Sequence, residues 1–373
     1  MKSGNSARLA KAGALLLIIV LTVLAAALLL LVFSSDFGTA LKLFFLGPFS
    51  NRFSLGNMLS SAVSLAVAGL GAAVAFGTRS FNLGGEGQVY FGAIASAFIC
   101  LSFPNGGLPV AIAALLGAML AGGLIGLISG ELKYRLAVDE LISSFLLSSA
   151  LVCLGDFLVT GPLQDPASNF QTTAEIAAGL RFPKILLPSR LSAAFWLAIA
   201  VIAAAAFFID RTRLGFELRL SGRSPIFSRY VGINTGGYAC ASMAASGAFY
   251  GLAGALMVMG AQFKVMKGFS SGLGWSGIAV ALLAGSRPLA LIPAALFFAY
   301  LGAGADAVMI GADVTSEIAD IVQAVVFFLV TAKAVEELFL RLPALSPRKS
   351  GPAARQKKDE ESAGSSDSAR RPQ

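Results

Sequence analysis

D-R-T-R-L-G-F-E-L-R-L-S-G-R-S-P-I-F-S-R-Y-V-G-I-N, running from Asp210 to Asn234, is the longest internal polar interruption of a hydrophobic chain. Its five arginines (Arg211, Arg213, Arg219, Arg223 and Arg229) stand against two acidic residues, Asp210 and Glu217. Between apolar segments, an excess of arginine marks a loop that stays in the cytoplasm. Helix formers punctuated by Gly and Pro show that the loop, 210–236, folds locally and presents a surface to a cytoplasmic partner. A chain built around such a loop is an all-α polytopic membrane protein, with residues 1–345 forming one transmembrane domain.

Composition agrees. Of 373 residues, 56% are hydrophobic and 13% charged, about half the charged share of a soluble domain. The absence of histidine excludes His-based acid–base chemistry and His metal sites. Cys100, Cys153 and Cys240 lie far apart in apolar runs and match no metal or redox spacing. No catalytic or metal-binding residue is therefore expected. The net charge of +8 arises from loops, so no nucleic-acid partner is inferred.

Working outward, apolar runs suggest ten spans: 12–33, 57–77, 81–103, 108–130, 141–160, 191–209, 238–260, 275–285, 289–310 and 318–340. The first has 22 residues, longer than the apolar core of a signal peptide and enough to cross the hydrocarbon. The eighth is short and bounded by glycines, as in a broken or half-spanning helix lined by protein. A patch at 43–46 is too brief to cross and is assigned to the interface. With the N-terminus inside, twenty of the 28 lysines and arginines fall on cytoplasmic segments and seven on external ones. Both termini are therefore placed in the cytoplasm. The Ser-, Lys-, Glu- and Pro-rich tail, 346–373, has the composition of a disordered cytoplasmic segment.

Two Gly-rich stretches, F-N-L-G-G-E-G-Q from Phe81 and F-S-S-G-L-G-W-S-G from Phe269, each follow an apolar span, and those spans run in opposite directions. This suggests an inverted repeat. Intramembrane ionisable residues are costly and mark functional candidates. Asn82, Glu86 and Gln88 form one polar spot that either binds a polar solute or holds a broken helix together. Asp320 and Gln323, three apart on one helix face, either line a pathway or bind a neighbouring helix. Asp139 and Glu140 suit a helix N-terminus. Trp275 is placed at an outer interface, with a substrate platform as the other option. The external segment 161–190, with a short helix expected at 174–180, either receives a binding protein or serves as a connector.

Thr212, Gly215, Arg219, Gly222, Pro225, Tyr230, Gly232 and Ile233 follow T-x2-G-x3-R-x2-G-x2-P-x4-Y-x-G-I, which resembles permease subunits of ABC importers of the nucleoside and simple-sugar type, a group that includes ribose and branched-chain amino-acid permeases. Phe81–Gln88 is similar to their F-N-[IL]-G-x-E-G-Q stretch. Asp139–Ser143, with Gly161, Pro162, Asp165 and Pro166, resembles N-E-V-I-S and G-P-L-x-D-P, Asp139 replacing Asn. Trp275–Pro288 resembles F-D-G-I-A-V-A-L-L-G-x-x-x-P, with Trp275 and Ser276 in place of Phe and Asp. Leu220, Ser221, Ser224, Ile226 and Phe227 depart from the pattern in the central loop. The likeness covers residues 57–340.

The resemblance implies that 210–236 forms coupling helices on a cytoplasmic ABC ATPase. It also implies a second permease, different or identical, an external substrate-binding (lipo)protein, a bacterial inner membrane and alternating access. Relatives carry nucleosides, simple sugars or riboflavin. The chain has no G-x-x-x-x-G-K-[ST], so ATP and Mg belong to the partner ATPase and no cofactor is expected here. An ion-coupled carrier using Glu86 and Asp320, or a scaffold without flux, are the competing classes.

Overall fold

A computed structural model describes residues 36–312, with isolated helical positions between 20 and 31 and between 321 and 328. The first and last expected spans, Asp320, Gln323 and the tail lie essentially outside the described residues. The described chain is all-helical apart from two isolated β-bridges. Six helices are long and apolar enough to cross a membrane. They correspond to the second, fourth, fifth, sixth, seventh and ninth expected spans, so the expectation of ten is met only in part.

The order is α1 (Phe37–Leu46), α2 (Arg52–Gly77), α3 (Gly85–Ser102), α4 (Gly107–Leu136), α5 (Glu140–Thr160), α6 (Ala194–Arg211), α7 (Arg213–Arg223), α8 (Pro225–Tyr230), α9 (Thr235–Met257), α10 (Leu273–Leu283) and α11 (Leu291–Gly311). Side chains set several starts. Asp36 Oδ1 accepts from Thr39 N at 3.1 Å, Asn51 Oδ1 from Ser54 N at 2.8 Å and Asp139 Oδ1 from Leu141 N at 2.8 Å, each satisfying an N–H that the helix itself leaves unpaired. The capping role expected of Asp139 is thus present. Its neighbour Glu140 instead pairs with Lys133 at the end of α4. The patch at 43–46 belongs to α1, whose Ala40 and Phe44 are buried with Leu301, Ala305 and Val308 of α11.

Helices α2 and α9 form the buried centre. α2 packs on α10 and α11, α9 packs on α3 and α4, and α2 scarcely touches α3 although they are consecutive. The close seam of α9 with α4 depends on missing side chains: a methyl on Gly247 would overlap the Gly122 carbonyl oxygen. Small residues at facing positions are how helices approach in an apolar medium, where water supplies no driving force.

The third and eighth expected spans are altered by polar chain breaks. Residues 81–84 are non-helical and α3 begins only at Gly85. α10 has 11 residues, a length of about 16 Å and therefore half the hydrocarbon thickness.

The segment 161–190 lies against the loop after α9. Thr173 N donates to Val265 O at 2.8 Å, Ile176 N to Phe263 O at 2.9 Å and Phe182 N to Met259 O at 2.9 Å. The helix expected at 174–180 is reduced to one 3-10 turn, Ala178–Leu180, because the preceding backbone is spent on these cross-segment bonds. Arg181 and Lys184 both stand over the Phe263 ring and Lys264 lies 3.8 Å from Glu175, so these basic residues, expected outside from sequence, gather around 175 and 263. Arg79, Arg219, Arg223 and Arg287 gather around a different cavity.

Candidate functional site

The two Gly-rich stretches meet. Their helix starts cross at Gly85 and Gly274, where a methyl on Gly85 would lie 2.9 Å from Gly274 Cα. At α10 the unpaired N–H groups are answered from the other helix: Glu86 Oε1 accepts from Gly274 N at 2.8 Å and Trp275 N at 3.3 Å. A carboxylate beside helix N-termini is electrostatically favoured, since the unpaired N–H groups carry partial positive charge.

Asn82 and Gln88 satisfy each other. Asn82 Nδ2 donates to Gln88 Oε1 at 2.8 Å and to Ser246 Oγ at 2.9 Å, while Asn82 Oδ1 accepts from Gly84 N at 2.9 Å and Gln88 Nε2 at 3.2 Å. Both side chains are buried. Leu83 N donates to Ser144 Oγ at 3.1 Å and Gly87 N to Ser148 Oγ at 2.8 Å. The break is therefore held by α5 and α9. Irregular backbone at membrane depth requires such partners, because no water is present to supply them.

The expected polar spot thus divides by role. Asn82 and Gln88 are committed to the break, whereas Glu86 caps α10 with one oxygen and also lines a cavity of about 240 Å³. Leu83, Phe145, Ser148, Ser149, Val152 and Trp275 complete its wall. Trp275 lies beside Phe145, in the second turn of α5, with ring centroids 6.1 Å apart, because half-length α10 starts inside the bundle rather than at the outer rim. Two aromatic rings, two hydroxyl-bearing residues and a carboxylate thus line one cavity. The α5 surface beside this cavity is apolar and exposed at Ile142, Phe145 and Leu146. Phe145 and the serines were not singled out from sequence. The available signal was serines four apart on one helix face, Ser144 with Ser148 and Ser242 with Ser246.

The central loop folds as α7 and α8. Thr212 Oγ1 accepts from Gly215 N at 3.1 Å, capping α7. A methyl on Gly215 would strike the Phe208 carbonyl oxygen, and one on Gly222 the Gly77 carbonyl oxygen, so these glycines seat α7 on α6 and on the end of α2. Arg219 bonds Asp210 at 2.8 Å. Glu217 accepts from Tyr238 Oη at 2.6 Å and Arg213 Nε at 2.7 Å, and these two bonds, Tyr238 first, hold its carboxyl below the ordinary glutamate range. Pro225 opens α8, and Gly232, at φ +81°, makes the left-handed turn toward α9.

Among the loop residues identified from sequence, Thr212, Gly215, Arg219, Gly222, Pro225 and Gly232 build the platform. Tyr230, 87% exposed, faces outward. Ile226 is 74% exposed and Phe227 and Val231 are exposed beside it, forming an apolar rim; from sequence, Ile226 and Phe227 stand out only as departures from the motif. The rim's signal was apolar residues inside a basic loop.

A family model described as "Branched-chain amino acid transport system / permease component" matches residues 54–331. The chain is 34% identical to the Probable riboflavin import permease protein RfuC of Treponema pallidum (strain Nichols), over 79% of this chain and 78% of that protein. It is 33% identical to the Guanosine ABC transporter permease protein NupP of Bacillus subtilis (strain 168), over 77% and 83%. It is 30% identical to the Nucleoside ABC transporter permease protein NupB of Lactococcus lactis subsp. cremoris (strain MG1363), over 79% and 84%. The buried helical bundle, the paired chain breaks and these matches agree: the chain belongs to the branched-chain amino acid transport system / permease component family, as an ABC-type membrane permease.

Proposed function

We propose that the chain is the membrane subunit of an ATP-driven importer that carries a nucleoside by alternating access. The observation that carries the solute class is the cavity at the crossed helix starts, where Phe145 and Trp275 flank Glu86, Ser148 and Ser149. A base stacks on aromatic faces, and ribose hydroxyls bond to the carboxylate and serines. Riboflavin, with a fused ring and a ribityl chain, is the second reading, favoured by the riboflavin permease at 34% identity. Simple sugars lack the flat ring. Ion coupling through Glu86 is disfavoured because its carboxylate caps α10.

The ATPase docks on α8, where Ile226 and Tyr230 protrude from a platform braced on α2, α6 and α9. A second permease covers the apolar α5 face, so that the solute passes between the two chains. An external binding protein docks on 161–190, in a bacterial inner membrane with both termini inside. The reciprocal packing of α2 on α10 and α11, and of α9 on α3 and α4, supports an inverted repeat whose axis passes near Gly85 and Gly274.

The test is ATP-dependent uptake of labelled guanosine, riboflavin and glucose by the complex co-reconstituted with its ATPase, second permease and binding protein. Guanosine uptake that falls in Trp275→Ala while ATPase association persists is expected. Uptake of glucose alone would refute the solute class, and uptake driven by an ion gradient without ATP would refute the mechanism.

A further inference from the structure

The cytoplasmic face holds a second cavity, of about 690 Å³, to which Arg79, Arg219, Arg223 and Arg287 all contribute. They come from separate segments: the turn after α2, two positions of α7, and the turn before α11. Asp210 supplies the acidic group in the wall and bonds Arg219. No salt bridge is formed by Arg79, Arg223 or Arg287 among the described residues. Three like charges around one concavity repel each other and focus a positive potential into it. Topology requires arginines on this side, but not their convergence on one recess. The rest of the wall is partly apolar, with Phe76 and Ile209 at the ends of spans and Leu289 exposed.

We propose that this recess binds a phosphate oxyanion, and specifically the headgroup phosphate of an anionic phospholipid. Guanidinium forks match phosphate oxygens bidentately. The recess lies at the ends of membrane-crossing helices, so a lipid phosphate reaches the arginines while its acyl chains follow the apolar wall. Bound there, the lipid bridges α7 to the ends of α2 and α6 and stiffens the platform. From the functional reading the proposal borrows only that this face is cytoplasmic, and its test does not depend on that orientation.

The test measures retention of phosphatidylglycerol and phosphatidylcholine on the full chain, purified in neutral detergent, by native mass spectrometry. Wild type is expected to prefer phosphatidylglycerol, and Arg79→Gln/Arg223→Gln/Arg287→Gln to lose that preference about tenfold or more, since each arginine near a headgroup contributes substantially. The triple lysine variant should retain part of it. Arg135→Gln/Arg211→Gln/Arg229→Gln, with the same charge loss away from the recess, should retain it all. Thermal stabilisation by phosphatidylglycerol should follow the same order, which separates lost binding from misfolding. Competition by inorganic phosphate without any lipid preference would assign the recess to a soluble anion and overturn the lipid source. Equal retention of both lipids by wild type, or an undiminished preference in the glutamine variant, would overturn the site.

Discussion

Replacing Glu86 separates a framework role from a solute role. Its Oε1 accepts two N–H groups at the start of α10, at 2.8 and 3.3 Å. A hydrogen bond to a charged group contributes about 1.5–3 kcal/mol. The side chain is only partly buried and the second bond is long, so Glu86→Ala should cost about 2–3 kcal/mol, at or below the bottom of the ~3–6 kcal/mol that two full bonds would give. Glu86→Gln keeps an oxygen acceptor and loses the charge, which places its cost near about 1 kcal/mol. Cys100 and Cys240 are buried and Cys153 is exposed, so in a Cys153→Ser background a thiol-reactive fluorophore reports unfolding directly in detergent. The expected order of melting temperature is wild type, then Gln, then Ala, with Ala several degrees below wild type. If Glu86→Ala melts with wild type but loses transport, the carboxylate serves the solute alone and the capping argument fails. If Gln falls as far as Ala, the charge rather than the acceptor geometry carries the effect.

Ile226→Asp with Tyr230→Asp should abolish ATPase co-purification while leaving the melting temperature within about 1 °C of wild type, because both side chains are exposed; an intact complex would refute docking on α8. Arg219→Asp places two carboxylates together and should weaken ATPase association, and Asp210→Arg in the same chain should restore it; failure of the swap would show that Arg219 acts on the partner directly. Gly222→Leu should lower stability by about 2–3 kcal/mol or prevent folding, since the Gly77 carbonyl occupies that space; wild-type melting would contradict the packing. The folded-state pKa of Glu217 is depressed, so its contribution is present above the ordinary glutamate value of about 4.3 and is lost as pH falls through the lower folded value. Limited proteolysis of the loop should accelerate below that range, at higher pH in Tyr238→Phe; an unchanged pH profile would refute the clamp.

Much of the bundle was legible because apolar runs long enough to cross a membrane are one-dimensional signals. The short α10 was legible too, through its flanking glycines. The start of α3 was not: apolar Phe81 and Leu83 extend the run, while Asn82 takes the Gly84 amide and Ser144, 61 positions on, takes that of Leu83. Glycine density marked Glu86, but its partner lies 188 residues away, a distance that no spacing rule spans. The family motif in the loop identified the residues that shape it. Six of those seven, Thr212, Gly215, Gly222, Pro225, Gly232 and Arg219, lack an outward role: three glycines, a proline and a capping threonine set backbone geometry, and Arg219 turns to Asp210. Ile226 and Phe227 of the outward apolar rim sit at positions where this chain departs from the motif.

The most direct test is purification of the tagged chain from its native membrane in mild detergent, with every co-purifying protein identified by mass spectrometry. Stoichiometric recovery of an ABC ATPase, a second permease and an external binding protein, with the ATPase lost in Ile226→Asp/Tyr230→Asp, is predicted. Recovery of the chain alone, under conditions that keep a control ABC importer intact, would contradict it.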